Sequence, residues 1–417
     1  MIVMHDSLKV YLKDSFVGWL SHETKGDVYS FVYNEAYLAN PIDGALSFAL
    51  PLRREKFDSA CTYNFFANLL PPRIVRQRLG ASLHLSQNNV FGFLKAIGGD
   101  CAGAVSLYPA WGKPTPQDIE RVRVLSEEEA VRILKSLKRR PLYAAGEEGY
   151  RYSGAGAQDK LIARIEGGKI VLPLFGTPST HIIKPSAEGF DDSVLNECFC
   201  QCLASEVGLS ASRADIITLA GERYYVSERY DREIVEGKPR RLHQEDFCQL
   251  LSIDPETKYE SDGGPSIVDC MGVMRRMRMT ATSQLSFIDS IAFNYLIGNA
   301  DAHAKNLSVV YHGKHAALAP LYDLVSTAVY PELSQEMAMG VGGDMKFTAI
   351  TRASFTRMAD SCRVSPKLVL SRLDTLCGRM VEAAERLAAA SDARWPSAIY
   401  GKIKETIRDH VLRVAAS

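Results

Sequence analysis

A short polar loop holds the residues of this chain that are best suited to chemistry. Asp301, His303, Lys305 and Asn306 lie within the stretch GNADAHAKNLSVVY, residues 298–311. A helix-like segment precedes the loop and an apolar strand-like run follows it, and catalytic groups often lie on loops held in this way. Phosphoryl transfer needs a carboxylate near the attacking hydroxyl group and an oxygen ligand for magnesium a few residues away. Asp301 and Asn306, five positions apart, supply both groups.

A second carboxylate and an upstream lysine extend this set. Asp323 ends a strand-like segment in ALAPLYDLVST, and Asn306 with Asp323 would suit Mg²⁺, which takes oxygen ligands and only one or two carboxylates. Lys184 ends the apolar strand THIIKPS, where the small lobe of a kinase carries its phosphate-binding lysine. Glu197, early in the next helix, is placed to pair with Lys184, although a helix N-terminus favours Glu in any case.

Two further segments carry weaker signals. SGAGAQDK, residues 153–160, is rich in small residues that let backbone N–H groups approach phosphates. It lacks the Walker A pattern, and a turn between strands explains it about as well. SERYDR, residues 227–232, joins the strand-rich half to the helical half. Its residue types suit an adenine-contacting connector and an ordinary charged connector equally.

Composition and charge narrow the class of protein. The 417 residues are 46% apolar and 24% charged, as in soluble globular proteins with two domains or one two-lobed unit. The 49 basic and 49 acidic residues give no overall attraction to nucleic acid or to an anionic membrane. The start, MIVMHDSLKV, does not resemble a secretory signal, and no run of about 18 apolar residues predicts a membrane span. Nine cysteines without a CxxC pair favour a reducing cytoplasm.

Three of these cysteines, Cys198, Cys200 and Cys202, lie close together in VLNECFCQCLASEVG. This segment reads as a buried helix, on which residues two apart point to different sides, so the thiols converge poorly on one metal. We expect them to pack in the core as small apolar side chains.

The elements that must position the chemical groups follow a simple order. The first hundred or so residues alternate as strands around a helix-like stretch, YNFFANLLPPRIVRQRLG, and Pro109 to Pro116 form the best candidate linker. Ser126 and Glu129 form a capping box that opens a helix. Strands dominate from about residue 150, and helices from about residue 244. The pattern predicts an α+β fold with a strand-rich lobe, a helical lobe and a cleft between them.

Taken in order, these segments resemble the HipA family of bacterial toxin kinases. The matching pieces are YNFFANLLP, SGAGAQDK, HIIKP, NECFC, SERYDR, QEDFCQ, KYESDGGP, DAHAKN and YDLVS. DAHAKN is also similar to the catalytic loop of phosphatidylinositol-type kinases. The resemblance implies a two-lobed protein-kinase-like fold related to those kinases. It divides the chain into an accessory subdomain (1–110), a linker and helix (111–149), the small lobe (150–240) and a helical lobe (241–417).

The resemblance also implies ATP and Mg²⁺ as ligands and a role for each site residue. Asp301 would be the catalytic base, Asn306 and Asp323 would hold the metal, and Lys184 would contact the ATP phosphates. Ser153 matches the serine that members of the family autophosphorylate. In the family this modification silences the kinase, because the added negative charge repels the phosphates of ATP. The resemblance implies three further groups of nucleotide contacts. The phosphate loop would consist of Ala155, Gly156, Ala157, Gln158, Asp159 and Lys160. The adenine-contacting connector would consist of Glu228, Arg229 and Tyr230, and the residues along the nucleotide would be His303, Lys305 and Tyr322.

The family implies partners as well. These are a small helix-turn-helix antitoxin, HipB, that represses the shared operon on operator DNA, and a protein substrate such as glutamyl-tRNA synthetase, whose phosphorylation causes growth arrest and persistence. Lys346 and Arg352 lie where members contact DNA, although ordinary solvated side chains explain them equally well. No membrane partner is expected.

Three alternatives compete with an active kinase. DAHAKN would be a structural loop whose Asp and Asn cap neighbouring elements. Asp301, His303 and Asp323 would form a metal hydrolase site, which leaves Asn306 and Lys184 without a role. A catalytically silent pseudokinase would act only as an antitoxin partner or corepressor.

Overall fold

The computed structural model describes residues 7–110, 112, 121–144, 146–313 and 315–416. The linker predicted from Pro109 to Pro116 falls largely outside these residues. None of the described helices has the length and apolar character needed to cross a bilayer.

An antiparallel sheet of four strands, in the order β3-β2-β1-β4, forms the N-terminal part. In chain order its strands are β1 (Ser7–Leu12), β2 (Ser15–Glu23), β3 (Val28–Tyr33) and β4 (Val105–Pro109). Four helices lie between β3 and β4 in the chain: α1 (Glu35–Ala39), α2 (Ser59–Ala67), α3 (Arg73–Leu83) and α4 (Val90–Ile97). The helix-like stretch of the sequence is two helices, because Pro71 and Pro72 lack the N–H groups that a continuous helix would need.

A second sheet, of six strands in the order β5-β7-β6-β8-β10-β9, follows. Its elements are β5 (Val122–Val124), α5 (Glu127–Ser136), β6 (Leu161–Glu166), β7 (Lys169–Pro173), β8 (His181–Lys184), α6 (Ser193–Glu206), β9 (Ala214–Leu219) and β10 (Glu222–Glu228). The predicted capping box is confirmed, because the Ser126 and Glu129 side chains each accept a hydrogen bond from the other's backbone N–H. Cys198 and Cys200 on α6 are buried in the core, as predicted.

The rest of the chain is mainly helical, but short antiparallel strands interrupt it. Three strand groups are β11 (Arg232–Val235) with β12 (Lys238–Arg241), β13 (His243–Asp246) with β14 (Ser308–His312) and β15 (His315–Leu318), and β16 (Glu336–Val341) with β17 (Asp344–Lys346). The helices are α7 (Phe247–Leu251), α8 (Ile267–Arg276), α9 (Ala281–Leu296), α10 (Arg352–Ser361), α11 (Pro366–Arg394) and α12 (Ile399–Ala416).

The six-stranded sheet is shared between two hydrophobic cores. Tyr224 and Val226 on β10 pack in the core of the N-terminal part, whereas Tyr225 between them packs in the core of α6 and the helical half. This division follows the two-residue period of a strand, whose successive side chains point to opposite faces. The N-terminal part and one face of the six-stranded sheet therefore share one continuous core.

A buried charge network also joins these parts. Asp100, fully buried after α4, accepts hydrogen bonds from Arg241 Nε at 2.6 Å, Arg232 Nη2 at 2.9 Å and Arg229 Nη1 at 3.4 Å. Asp231 accepts a further bond from Arg229 Nη2 at 2.7 Å. Burial alone would raise the pKa of Asp100, but the three arginines hold it well below its usual value. The connector after β10 is thereby fixed to the N-terminal part.

We predict that Asp100→Asn destabilises the protein, because it leaves three buried guanidinium groups with one carboxylate between them. Breaking a buried ion pair typically costs about 3–5 kcal/mol. Urea unfolding followed by circular dichroism measures the change. The matched control is Glu382→Gln, which removes an exposed partner of Arg386 and should cost below about 1 kcal/mol. Equal effects of the two substitutions would contradict the structural importance of the network.

Candidate active site

A cleft of about 1180 Å³ lies between the six-stranded sheet and the helical half. Every site residue predicted from the sequence lines it: Ser153, Ala155, Gly156, Ala157, Gln158, Asp159, Lys160, Lys184, Glu228, Arg229, Tyr230, Asp301, His303, Lys305, Asn306, Tyr322 and Asp323. Residues that are far apart in the chain therefore share one cavity, and its volume lies slightly above the range of about 300–1,000 Å³ that is usual for small-molecule sites.

The innermost feature of the cleft is an ion cluster around Lys184, the last residue of β8. Its Nζ lies 2.6 Å from Glu197 Oε1 and 2.5 Å from Asp323 Oδ1. Burial opposes the charge on Lys184, but the two carboxylates raise its pKa above the usual value. Burial would raise the pKa of Asp323, but the neighbouring Lys184 lowers it to about 2. Glu197 lies beyond the first turn of α6, so pairing with Lys184 explains it better than the helix dipole does.

The loop 298–306 is fixed by its own hydrogen bonds. The backbone N–H of Asp301 donates to Asn299 Oδ1 at 3.0 Å, and Asn306 Nδ2 donates to the Asp301 carbonyl at 2.9 Å. The Asp301 side chain is 44% exposed and its Oδ1 accepts a hydrogen bond from the Tyr259 hydroxyl. The loop thus presents a carboxylate to the cleft while its backbone is held in place.

Asn306 and Asp323 fit a magnesium ion by their donor chemistry. The Asn306 amide nitrogen is used within the loop, so its carbonyl oxygen is the atom left for a metal. Asp323, with its low pKa, stays ionised near pH 7. Within the described ranges no group of three or more His, Cys, Asp or Glu side chains could hold a metal. One amide and one carboxylate suit Mg²⁺, which takes its other ligands from water and phosphate.

His303 is unsuited to metal binding here. Its Nε2 lies 2.7 Å from Lys258 Nζ, which makes this nitrogen the acceptor of an ammonium proton. Burial lowers the pKa of His303 to about 4, and the neighbouring lysines contribute in the same direction, so the ring is neutral near pH 7. A nitrogen occupied by an ammonium group cannot ligate a metal, which argues against the metal hydrolase alternative.

Lys305 lines the cleft and is paired with other residues of the protein there. Its Nζ donates to Asp246 Oδ2 at 2.8 Å and to the backbone carbonyl of Asn68 at 3.2 Å. Asn68 follows α2, and its side chain in turn donates to the Ile253 carbonyl at 2.9 Å. The N-terminal part therefore contacts the loop 298–306 directly through Lys305, and the sequence does not predict this contact.

The segment 153–160 is folded into the cleft. Ser153, only 1% exposed, donates from Oγ to the Leu69 carbonyl at 2.6 Å. Gly156 has φ +96°, and a Cβ there would lie 3.1 Å from Lys160 Nζ, so the position favours glycine. Lys160 Nζ donates to the Gln158 carbonyl at 2.8 Å, and burial lowers the pKa of Lys160 to about 8.

An ion pair ties this segment to the N-terminal part from the other side. The Nη2 atom of Arg78, on α3, lies 3.0 Å from Asp159 Oδ1. Together with the Ser153 bond to Leu69, this contact holds both ends of the segment against α2 and α3.

The connector 228–230 turns its central side chain away from the cleft. The Arg229 guanidinium belongs to the buried network with Asp100, and the Tyr230 hydroxyl donates to Gln244 Oε1 at 2.7 Å. The rings of Tyr230 and Tyr322 stack with centroids 5.2 Å apart. In the described part of the chain the Tyr230 N–H has no hydrogen-bond acceptor. The connector therefore offers backbone groups and an aromatic face to a ligand.

The two residues with a suggested DNA role differ in their surroundings. Lys346 is exposed at the end of β17. Arg352 is paired with Asp374 through Nη1 at 2.5 Å and Nη2 at 2.8 Å. Of the two, Lys346 is the more available to a polyanion.

Sequence reasoning missed several residues of this cleft. Lys258 and Tyr259 contact His303 and Asp301, and Arg78 and Asn68 reach the cleft from the N-terminal part. One signal for them is the segment KYESDGGP, whose paired glycines indicate a tight turn. The pattern does not indicate that Lys258 and Tyr259 lie beside the loop 298–306.

Comparison with known proteins agrees with this architecture. A HipA N-terminal domain model matches residues 8–108, and a HipA-like C-terminal domain model matches residues 152–384. The candidate kinase Y4mE of Sinorhizobium fredii is 38% identical over 385 residues, which cover 91% of each chain. The serine/threonine-protein kinase toxin HipA of Shewanella oneidensis is 28% identical, and the match covers 90% of this chain and 88% of the HipA chain.

A solved structure is similar over nearly the whole length. HipA in the complex of the Shewanella oneidensis MR-1 toxin–antitoxin system with HipB and operator DNA has a TM-score of 0.85 and 25% identity, covering 98% of this chain and 97% of that one. Fold and cleft define a two-lobed α+β kinase, which confirms the predicted fold class. The chain belongs to the HipA family, and its enzyme class is that of serine/threonine protein kinase toxins.

Proposed function

We propose that this chain uses ATP and Mg²⁺ to phosphorylate serine or threonine residues. The observation that carries the proposal is the buried Lys184–Glu197–Asp323 cluster in one cleft with Asp301 and Asn306. In protein kinases a lysine–glutamate pair and a metal-binding aspartate must both be in place for transfer. Here all three groups are already in contact.

Each group has a distinct task in this proposal. Lys184 binds ATP phosphates, and Asn306 and Asp323 hold Mg²⁺, which neutralises charge on the phosphates when bound. Asp301, the exposed carboxylate, accepts the proton of the attacking hydroxyl group. The segment 153–160 supplies backbone N–H groups to the phosphates.

The connector and the paired tyrosines complete the nucleotide site. The backbone of Glu228 and Tyr230 bonds the edge of the adenine, and the stacked rings of Tyr230 and Tyr322 form an apolar wall beside it. Arg229 contributes through its backbone, since its side chain is committed to the buried network.

We predict that Asp301→Asn lowers phosphoryl transfer by about 10²- to 10⁴-fold, because a general base is lost, while the affinity for ATP changes little. Labelled ATP with Mg²⁺ measures transfer to the chain itself and to glutamyl-tRNA synthetase, and calorimetry measures ATP binding. The control is Asp360→Asn at an exposed site on α10. Transfer by Asp301→Asn at the normal rate would remove the base assignment. ATP binding without transfer by the unaltered chain would favour the pseudokinase alternative.

We also propose that the target is an aminoacyl-tRNA synthetase, first of all glutamyl-tRNA synthetase, and that its phosphorylation arrests growth. A small helix-turn-helix antitoxin of the HipB type would bind the kinase and direct the complex to operator DNA. Support for these partners comes from the family and from the relative solved with HipB and operator DNA. Exposed Lys346 is the candidate for a direct phosphate contact.

We predict that a helix-turn-helix protein encoded beside this chain co-purifies with it and lowers its phosphoryl transfer. The complex should bind the operon's promoter DNA in a mobility-shift assay, and Lys346→Ala should weaken that binding by about tenfold or less, as one phosphate contact does. Purification of the two proteins as separate species would contradict the partner proposal.

Ser153 is the proposed site of self-inactivation. Its hydroxyl group is buried against Leu69, so the segment 153–160 must leave the cleft before another active site can reach it. A phosphate is too large for the buried position of the Ser153 hydroxyl group, so the segment would stay outside and ATP would lose its phosphate contacts.

We predict that Ser153→Ala abolishes the slow self-labelling of the chain and prolongs its activity on the protein substrate. Mass spectrometry after incubation with ATP and Mg²⁺ identifies the modified residue. Ser205→Ala, at an exposed position on α6, is the matched control and should label normally. Persistent self-labelling of Ser153→Ala, or unchanged inactivation, would show that the switch lies elsewhere.

A further inference from the structure

One part of the cleft has no role in the function proposed above. The segment 254–264 lies between α7 and α8, and Lys258 and Tyr259 within it line the cleft beside the catalytic loop. The Lys258 Nζ is 2.7 Å from His303 Nε2, and the Tyr259 hydroxyl donates to Asp301 Oδ1. The segment therefore contacts two successive polar positions of the loop.

The segment is held rigidly from two sides. Glu256 Oε1 accepts bonds from Arg76 Nη2 at 3.2 Å and from the Arg73 N–H at 3.0 Å, both on α3. Glu260 Oε2 accepts a bond from the Gly340 N–H at 2.7 Å, on β16. Side chains on so constrained a segment reach their partners with little loss of conformational freedom.

The turn inside the segment is equally constrained. The N–H of Gly264 donates to the Tyr259 carbonyl at 2.8 Å. A Cβ at Gly264 would lie 2.3 Å from the Thr257 carbonyl oxygen, so only glycine fits. The paired glycines of KYESDGGP are thus explained by the need to place Lys258 and Tyr259.

Charge balance distinguishes Lys258 from the other lysines of the cleft. Each of four others lies against a carboxylate: Lys184 with Glu197 and Asp323, Lys305 with Asp246, Lys135 with Glu222, and Lys138 with Glu188. Lys160 donates to carbonyl groups of its own loop. Among the cleft lysines that the structure describes, Lys258 alone is hydrogen-bonded to an imidazole ring and has no carboxylate partner and no backbone acceptor.

Lys258 places a positive charge close to Asp301. Its Nζ lies 2.7 Å from His303 Nε2, and that nitrogen lies 3.6 Å from Asp301 Oδ1. Lys305, the cation within the loop, is instead paired with Asp246. An ammonium group without a carboxylate partner in a partly buried cleft is well suited to meet developing negative charge.

We propose that Lys258 is a catalytic residue that contacts the phosphoryl group during transfer, and that Tyr259 is a positioning residue that orients Asp301. This proposal rests on the kinase function proposed above. As the bond forms between the substrate hydroxyl oxygen and the γ-phosphorus, the bond from that phosphorus to the bridging oxygen breaks and its electron pair leaves with ADP. The hydroxyl proton passes to Asp301, and Lys258 faces the charge on the remaining phosphoryl oxygens.

The contact of Tyr259 with Asp301 fixes which oxygen can act as the base. Its hydroxyl hydrogen bond engages Oδ1, which leaves Oδ2 for the substrate hydroxyl. The Tyr259 ring also packs edge-on against His303, with centroids 5.2 Å apart and planes at 85°. A phenylalanine would keep this ring contact and lose only the hydrogen bond.

We predict that Lys258→Met lowers kcat by about 10²-fold or more, as loss of one charge-stabilising donor does, and leaves the Kd for ATP within about threefold. Labelled-ATP kinetics, calorimetry and thermal unfolding of the full-length chain measure these three quantities. The matched control is Lys402→Met at an exposed position on α12, which should behave as the unaltered chain. Tyr259→Phe should lower kcat about tenfold while the Kd for ATP and the thermal unfolding temperature stay unchanged, because the Asp301 carboxylate loses the hydrogen bond that orients it.

The outcomes separate this inference from the kinase proposal. Normal kcat in Lys258→Met, or a weaker Kd for ATP with unchanged kcat, overturns the catalytic role of Lys258 while the kinase proposal stands. Normal kcat in Tyr259→Phe, or a loss of kcat that is matched by a loss of thermal stability, overturns the positioning role of Tyr259. If Lys258→Met loses its fold, Lys258→Gln provides the same comparison with a polar side chain. An unaltered chain that binds ATP and transfers nothing overturns both proposals.

Discussion

The ammonium group of Lys184 lies out of water between the carboxylates of Glu197 and Asp323, and three distant parts of the chain meet to hold it there. A buried charge is tolerated only when it is paired and hydrogen-bonded, so strand β8, helix α6 and the turn after β15 constrain one another. These three elements thereby hold one lysine and two carboxylates in fixed positions at the inner end of the cleft.

The N-terminal part of the chain completes the cleft from outside the kinase core. It reaches the connector through Asp100, the segment 153–160 through Arg78, the loop 298–306 through Asn68 and the buried Ser153 through Leu69. Its core is continuous with that of the six-stranded sheet. Four contacts of different chemistry therefore join the N-terminal part to elements that line the cleft.

The sequence predicts well those parts of the site whose chemistry is local. Asp301 and Asn306 lie on one short loop, and Lys184 ends a strand with a clear pattern, so residue type and spacing are sufficient to indicate them. Side-chain direction is different, because it depends on partners far along the chain. Arg229 turns toward Asp100 and Lys305 toward Asn68, and neither pairing has a signature in the sequence.

Two further features of the structure lack a local signal in the sequence. Strands β16 and β17 lie in a region predicted as helical, and β17 has only three residues, too few to show a period. Lys258 reads as an ordinary surface charge until the fold brings it to His303, 45 positions away. Long-range contacts of this kind are set by tertiary packing.

The network around Asp100 bears on how such proteins can change in evolution. Two separate domain models match the two halves, which suggests modules that could be exchanged freely. Asp100 lies in the first and its arginine partners, Arg229, Arg232 and Arg241, lie in the second. A recombinant that inherits the arginines without Asp100 would bury three guanidinium groups against the single carboxylate of Asp231, so the two modules must be inherited as a matched pair.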